Sequence, residues 1–160
     1  MADERELRQD IDGYEVLTTA LVDLVNDFPL LDDEKVRFNV LKDRGGKAFF
    51  PLSGAVIERE IKDILGGVEQ RCVYPFMVIY RSAGLNENRR KAVKEWLDKL
   101  GRWLEGQEID GNRLTEYPTL SGNRRITEIR RQSPAYQMDI HEDGTEDWSI
   151  SITVRYRNEF

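Results

Sequence analysis

Few residues in this chain have the types and spacing that do chemistry. Cys72 and His141 are its single cysteine and single histidine. A thiolate beside an imidazole would make a nucleophilic pair, provided the fold joins them and lowers the thiol pKa. Cys72 lies in a β-rich stretch and His141 beside a turn far along the chain, so the plainer reading of Cys72 is a small core hydrophobe. One Cys and one His fall short of the usual zinc ligand sets and leave no internal disulfide. Carboxylates cluster at Asp32-Asp33, at Glu58 and Glu60, and at Glu142, Asp143, Glu146 and Asp147. Acid–base work needs two carboxyls in a cleft with separated pKa values, whereas clustering around turns reads as solvation. The last group could offer oxygen ligands to a hard cation, but lacks the ligand order of an EF-hand. Gly45-Gly46-Lys47 lacks the spacing of a phosphate-binding loop, and Gly66-Gly67 does not belong to a GxGxxG motif. No catalytic, cofactor or metal residue is assigned.

Two stretches suggest contacts rather than catalysis. In KDRGGKAFFPLSG, residues 42–54, glycines and a proline flank Phe49 and Phe50. These aromatics either plug the core or project on a loop towards a neighbouring subunit, with Arg44 and Lys47 beside them. In Arg124-Arg125 and Arg130-Arg131, strand alternation would send Arg125 and Arg131 to one face and Arg124 and Arg130 to the other. One pair could meet DNA phosphates. The plainer alternative is salt bridging to a neighbouring strand or subunit, because interleaved aromatics are missing.

Composition narrows the classes. The chain has 160 residues, 24 Lys+Arg and 30 Asp+Glu, for a formal charge of −6. That length suits one domain with its own core. The acidic balance argues against a general nucleic-acid binder but permits a local basic patch. No apolar run approaches the ~20 residues of a membrane span. MADERELRQD lacks an apolar signal core, so an intracellular setting is expected.

The elements that must position these residues follow from periodicity. Leu7, Ile11, Tyr14, Leu17, Leu21, Leu24 and Phe28 predict a helix over about 4–27, ended by Pro29. Gly13 inside it costs roughly 1 kcal/mol against Ala, so a break there is conceivable. Alternation predicts a strand at about 36–41. A hairpin is expected from arms 56–65 and 68–81 about the Gly66-Gly67 turn, with Pro75 at a bulge or an edge. Val93, Trp96, Leu97, Leu100, Trp103 and Leu104 predict a helix over 86–105, capped by Asn86 or Asn88. Strands are expected at about 123–132, 134–140 and 147–157, the last with Trp148, Ile150, Ile152, Val154 and Tyr156 on one face. The order implies a single α+β domain: a mostly antiparallel β-sheet with two main helices packed on one face.

Four stretches together resemble a known family. They are the N-terminal amphipathic helix, IKDILGGVEQRCVYPFMVIYR, KEWLDKLGRWLE, and ITEIRRQSPAYQMDIHEDGTEDWSISITVRYR. They are similar to the minor capsid or tail-terminator (tail-completion, head–tail joining) proteins of tailed phages and prophages of Gram-positive bacteria. The resemblance implies a structural, non-enzymatic subunit of a ring, typically hexameric, that ends tail-tube polymerisation and meets the head connector. The alternative within structural proteins is a head-closure or minor capsid component; a monomeric adaptor or a small enzyme stands behind these. It implies a virion location, with assembly in the bacterial cytoplasm, no cofactor, no membrane, and tail-tube and head-connector partners. DNA would pass through the ring without specific binding, and the net charge suits an acidic lumen. Such rings use heterologous contacts. Arg44, Lys47, Phe49, Phe50, Arg124, Arg125, Arg130 and Arg131 are the candidate interface residues, chosen from the loop and the basic strand rather than from a family motif.

Overall fold

A computed structural model of the chain describes residues 8–32, 34–84 and 86–160. Ten elements follow in order: β1 (Arg8–Gln9), α1 (Ile11–Asn26), β2 (Val36–Phe38), β3 (Gly45–Pro51), β4 (Val56–Lys62), β5 (Val68–Ser82), α2 (Glu87–Leu104), β6 (Arg124–Arg131), β7 (Tyr136–Ile140) and β8 (Glu146–Glu159). The class is α+β, a mostly antiparallel sheet with two helices.

The two long strands are the spine. β5 and β8 pair antiparallel from Glu69↔Glu159 to Ser82↔Glu146. Neither spine strand has a single full-length neighbour on its outer side. β4 pairs with the first half of β5 and β3 with the second, while β6 and β7 divide β8 in the same way. β1 extends β4, and β2 extends β3 in the one parallel pairing described. Pro75 sits in the middle of β5 where β4 has ended at Val56↔Val73 and β3 begins at Pro51↔Phe76. The expected bulge in β5 is absent; a seam between flanking strands accommodates the proline instead, and its carbonyl accepts from Leu52 N–H at 3.0 Å.

Pleating places the even-numbered residues of both spine strands on one face. Cys72, Tyr74, Phe76 and Val78 lie opposite Tyr156, Val154, Ile152 and Ile150, all buried. This face carries both helices, through Leu17, Leu21 and Leu24 of α1 and Val93, Leu97, Leu100 and Leu104 of α2. The Phe28 ring, just beyond α1, meets Trp96 and Trp103 of α2 at 5.4 and 5.5 Å between centroids, so the helices also lock to each other. Gly101 lets α2 approach the sheet: a Cβ there would stand 2.5 Å from Arg131 and 2.7 Å from Ile150 side-chain atoms. Among the described residues, no helix lies on the opposite face of the sheet.

Several boundaries differ from expectation. The first helix begins at Ile11, because Asp10 caps it and Arg8–Gln9 pairs with Ile57 and Val56 of β4. Leu7 lies outside the described residues, and Ile11 is 79% exposed rather than on the core face. The second strand stops at Phe38. Residues 45–51, expected as an irregular loop, form β3. The hairpin arm ends at Lys62, so Ile64 and Leu65 belong to the turn, where Asp63 Oδ1 accepts from Leu65 and Gly67 N–H at 2.8 Å each. Only Gly66 of the two glycines takes positive φ, 87°. The last three strands agree within a few residues.

Gly13 does not break α1. Its N–H donates to Asp10 Oδ1 at 3.1 Å, and a Cβ there would lie 2.0 Å from the other carboxylate oxygen and 2.8 Å from the Tyr156 hydroxyl. Exposed helical Gly→Ala changes gain up to about 1 kcal/mol. Here the sign reverses: Gly13→Ala displaces a buried carboxylate, and urea unfolding should show a loss of about 1–3 kcal/mol.

Candidate functional site

The first half of the expected interface turns inward. Lys47 is 3% exposed. Its Nζ donates to both Asp32 oxygens at 2.8 Å and lies over the rings of Tyr80 and Trp96, 4.8 and 5.2 Å from their centroids. The aromatic faces and the carboxylate together compensate the buried charge. Burial opposes ionisation of Asp32, yet Lys47 holds its carboxyl below the usual range. Phe49 is fully buried and stacks on Phe76 at 4.4 Å. Lys47 and Phe49 are therefore core residues, not a projecting contact, because β3 pairs along the second half of β5. Phe50 points to the helix-free face opposite Met77 and is half-buried. Arg44 is exposed just ahead of β3.

The basic strand is split differently from simple alternation. β6 carries a bulge between Ile126 and Glu128 that inserts Thr127. One extra residue reverses the phase of everything after it. Arg124 and Arg131 consequently share the helix face, while Arg125 and Arg130 point the other way. Arg131 clamps the end of α2, its Nε donating to Glu105 at 2.7 Å. Arg130 pairs with Glu128 and remains exposed, and Arg125 is exposed.

Arg124 belongs to a buried network. Its Nη2 and Nε donate to the two Asp10 oxygens at 2.7 and 3.0 Å, and Tyr156 O–H donates to Asp10 at 2.7 Å. With the Gly13 N–H, the carboxylate accepts from α1, β6 and β8 at once. Burial works against its ionisation, but Arg124, Tyr156 and Gly13 together keep the Asp10 carboxyl below the usual range. Burial pushes the Tyr156 phenol far up, so it is a permanent donor.

Cys72 and His141 do not meet. Cys72 lies opposite Tyr156, and burial pushes its thiol up to about 11, which keeps it protonated at neutral pH. His141 Nε2 lies 2.9 Å from Asp147. Asp147 also takes Arg81 in a two-pronged bond of 2.7 and 2.9 Å. Arg81 stands nine residues along β5 from Cys72, roughly 30 Å at ~3.3 Å per residue. The carboxylate cluster is spent on such pairing. Glu146 accepts from Arg90 Nε at 3.0 Å and from Gln137 at 2.5 Å, and Asp143 accepts from Thr145 N–H at 2.9 Å. No group of three or more His, Cys, Asp or Glu among the described residues is placed to hold a metal ion.

Exposed apolar residues gather at two ends of the spine, while Ile11, Phe38, Val40 and Leu52 are exposed elsewhere. All five residues of β7 are exposed, among them Tyr136, Met138 and Ile140 at 44, 38 and 59%. The tip of the β4–β5 hairpin exposes Ile64 and Leu65 almost completely, with Phe160 nearby. Periodicity does not mark Ile64, Leu65, Tyr136, Met138 and Ile140 as exposed, because each lies within an expected strand, where alternate apolar residues imply burial; Phe160 follows the last expected strand. No protein-family model matches the chain, and no curated protein matches it.

The depressed carboxyls fix the direction of a pH effect. Asp10 and Asp147 bind protons more weakly in the folded chain than in the unfolded one, where Asp titrates near 3.9. Their stabilisation is complete above that value and falls away as pH drops through the folded-state values. Urea titrations from neutral to acid should show stability falling below about pH 4. Asp10→Asn should cost about 3 kcal/mol or more at neutral pH by leaving Arg124 unpaired, and should flatten the acid limb.

Proposed function

We propose that the chain is a structural subunit of a tailed-phage tail terminator, associating head-to-tail into a ring that ends the tail tube and meets the head. The observation that carries this reading is the β7 edge. A strand paired on one side only presents unused N–H and C=O groups, and proteins that stay monomeric blunt such edges with charge, proline or cover. β7 carries one charge, Asp139, yet exposes Tyr136, Met138 and Ile140 along its length, Tyr136 and Ile140 on opposite faces because a bulge falls between Gln137 and Asp139. A closed ring needs a second, different patch to receive the first. The hairpin tip with Ile64 and Leu65 lies at the other end of the spine, about 40 Å away at ~3.3 Å per residue. Two unlike apolar patches at opposite ends suit a head-to-tail contact better than a two-fold one. The four-stretch resemblance supports the same assignment.

Negative-stain microscopy with light scattering, alone and with purified tail tubes, tests the assembly. The wild-type chain should give rings or capped tubes. Met138→Asp should abolish them while shifting stability by no more than about 0.5 kcal/mol, as for other exposed sites. Particles lacking the protein should carry over-long tails. Filled heads that leak instead would move the assignment to head closure.

A further inference from the structure

The helix-free face of the sheet carries an arrangement that ring formation does not use. Arg59 of β4 stands opposite Arg71 of β5, Arg71 opposite Arg157 of β8, and Arg157 opposite Arg125 of β6. Four arginines thus form one row across four neighbouring strands. Like charges directly opposite each other destabilise a sheet. Three strand spacings of ~4.8 Å make the row about 14 Å long.

Two bulges frame the row. The β4 bulge inserts Glu58 and the β6 bulge inserts Thr127, one on each side of the spine. Such insertions re-aim side chains and increase twist. Between them lies a cleft of about 320 Å³, onto which Arg59, Arg71, Arg155 and Arg157 open.

The row already shows what it holds. The Glu69 carboxylate lies 3.1 Å from Arg71 and 3.5 Å from Arg157, an oxyanion bridging the two inner guanidinium groups. Glu58 pairs with Arg155 at 3.0 Å and Glu128 pairs with Arg130, while Glu159 stands opposite Glu69. Among the described residues, the outer arginines, Arg59 and Arg125, have no ion pair. The free positions are therefore the two ends of the row, and one anion filling both must be extended and repeat its charge.

We propose that this row is a binding site for the phosphodiester backbone of nucleic acid, lying across the strands. Guanidinium groups match phosphate oxygens in two-pronged geometry. A phosphate recurs every ~3.4 Å of axis along one strand of duplex DNA, and because the backbone winds around that axis its phosphates stand farther apart, so the row spans about two or three of them. Among the described residues, the aromatic rings on this face, Phe50 and Tyr136, lie farther along the sheet, away from the row, so binding is independent of sequence. The local charge is opposite to the chain's average of −6. Glu69 acts as an internal competitor that phosphate must displace or share.

Fluorescence anisotropy of the isolated chain with labelled duplex, across a salt series, decides the matter independently of ring formation. Wild type should bind at low salt. Arg59→Gln with Arg125→Gln should weaken binding at least about tenfold and reduce the log–log salt slope by about 1.8, two contacts at ~0.9 each. Glu69→Gln should tighten it. Thermal melts should show the double variant no less stable than wild type, since it removes like-charge repulsion. Absence of binding at low salt overturns the proposal, as does unchanged affinity in the double variant. Displacement of the duplex by poly-glutamate as readily as by unlabelled duplex also overturns it, and makes the row a site for an acidic protein.

Discussion

The Asp10 carboxylate is one buried group on which the first helix and two strands of the sheet converge. It ends the short first strand, caps the first helix, and accepts from Arg124 at the start of β6 and Tyr156 near the end of β8. One side chain thereby fixes where α1 sits on the sheet and how far β6 extends along β8. The requirement propagates outward. Gly13 must lack a side chain, Arg124 must turn inward, and Tyr156 must keep its proton.

That inward commitment explains the division of labour between the two faces. The helix face consumes charge as well as apolar surface: Asp10 with Arg124, Glu105 with Arg131 and Lys47 with Asp32 all close on themselves. The other face pairs many of its charges too, but leaves Arg59 and Arg125 without an ion pair among the described residues. Its arginines collect at the end of the spine near the hairpin tip, whereas Arg81, Asp147 and His141 form a paired cluster at the other end. The sheet is therefore electrically uneven along its length, and its apolar edge β7 lies at the end with the paired cluster. On the proposed reading, the two ends serve neighbouring copies and the face between them remains accessible.

The second helix and the final strand were legible because local pattern and tertiary demand agree there. The stripe Val93, Leu97, Leu100, Trp103 and Leu104 is buried, and Ile150 to Tyr156 alternate as expected, whereas Trp148 is half-buried and Ser149 buried. The first helix was drawn too long because apolar spacing continues through Leu7 and Ile11, while the pairing of Arg8–Gln9 with β4 is tertiary and leaves no local mark. β3 reads as a loop in the sequence because glycines, a lysine and a proline are poor strand residues. A buried lysine becomes tolerable only with Asp32, Tyr80 and Trp96 around it, residues drawn from three other segments. Strict alternation puts Arg125 with Arg131 and Arg124 with Arg130, because a period of two cannot see one inserted residue. Ile126 and Ile129, three apart and both buried, were the available hint. The arginine row was invisible for a simpler reason: its members come from four strands, and register alone makes them neighbours.

The division of the spine between β5 and β8 also matters while the chain is being made. Ser82 closes β5, and β8 starts only at Glu146, with α2 and two further strands between them. At ~5–20 residues per second, a ribosome takes roughly 3–13 s to cross that interval. Throughout it, the longest strand of the protein waits with the flank that β8 will occupy unpaired. Nascent chains crowded on one message would meet through that flank, so the early emergence of α2, directly after β5, gives the apolar face a temporary shelter before its permanent neighbour arrives.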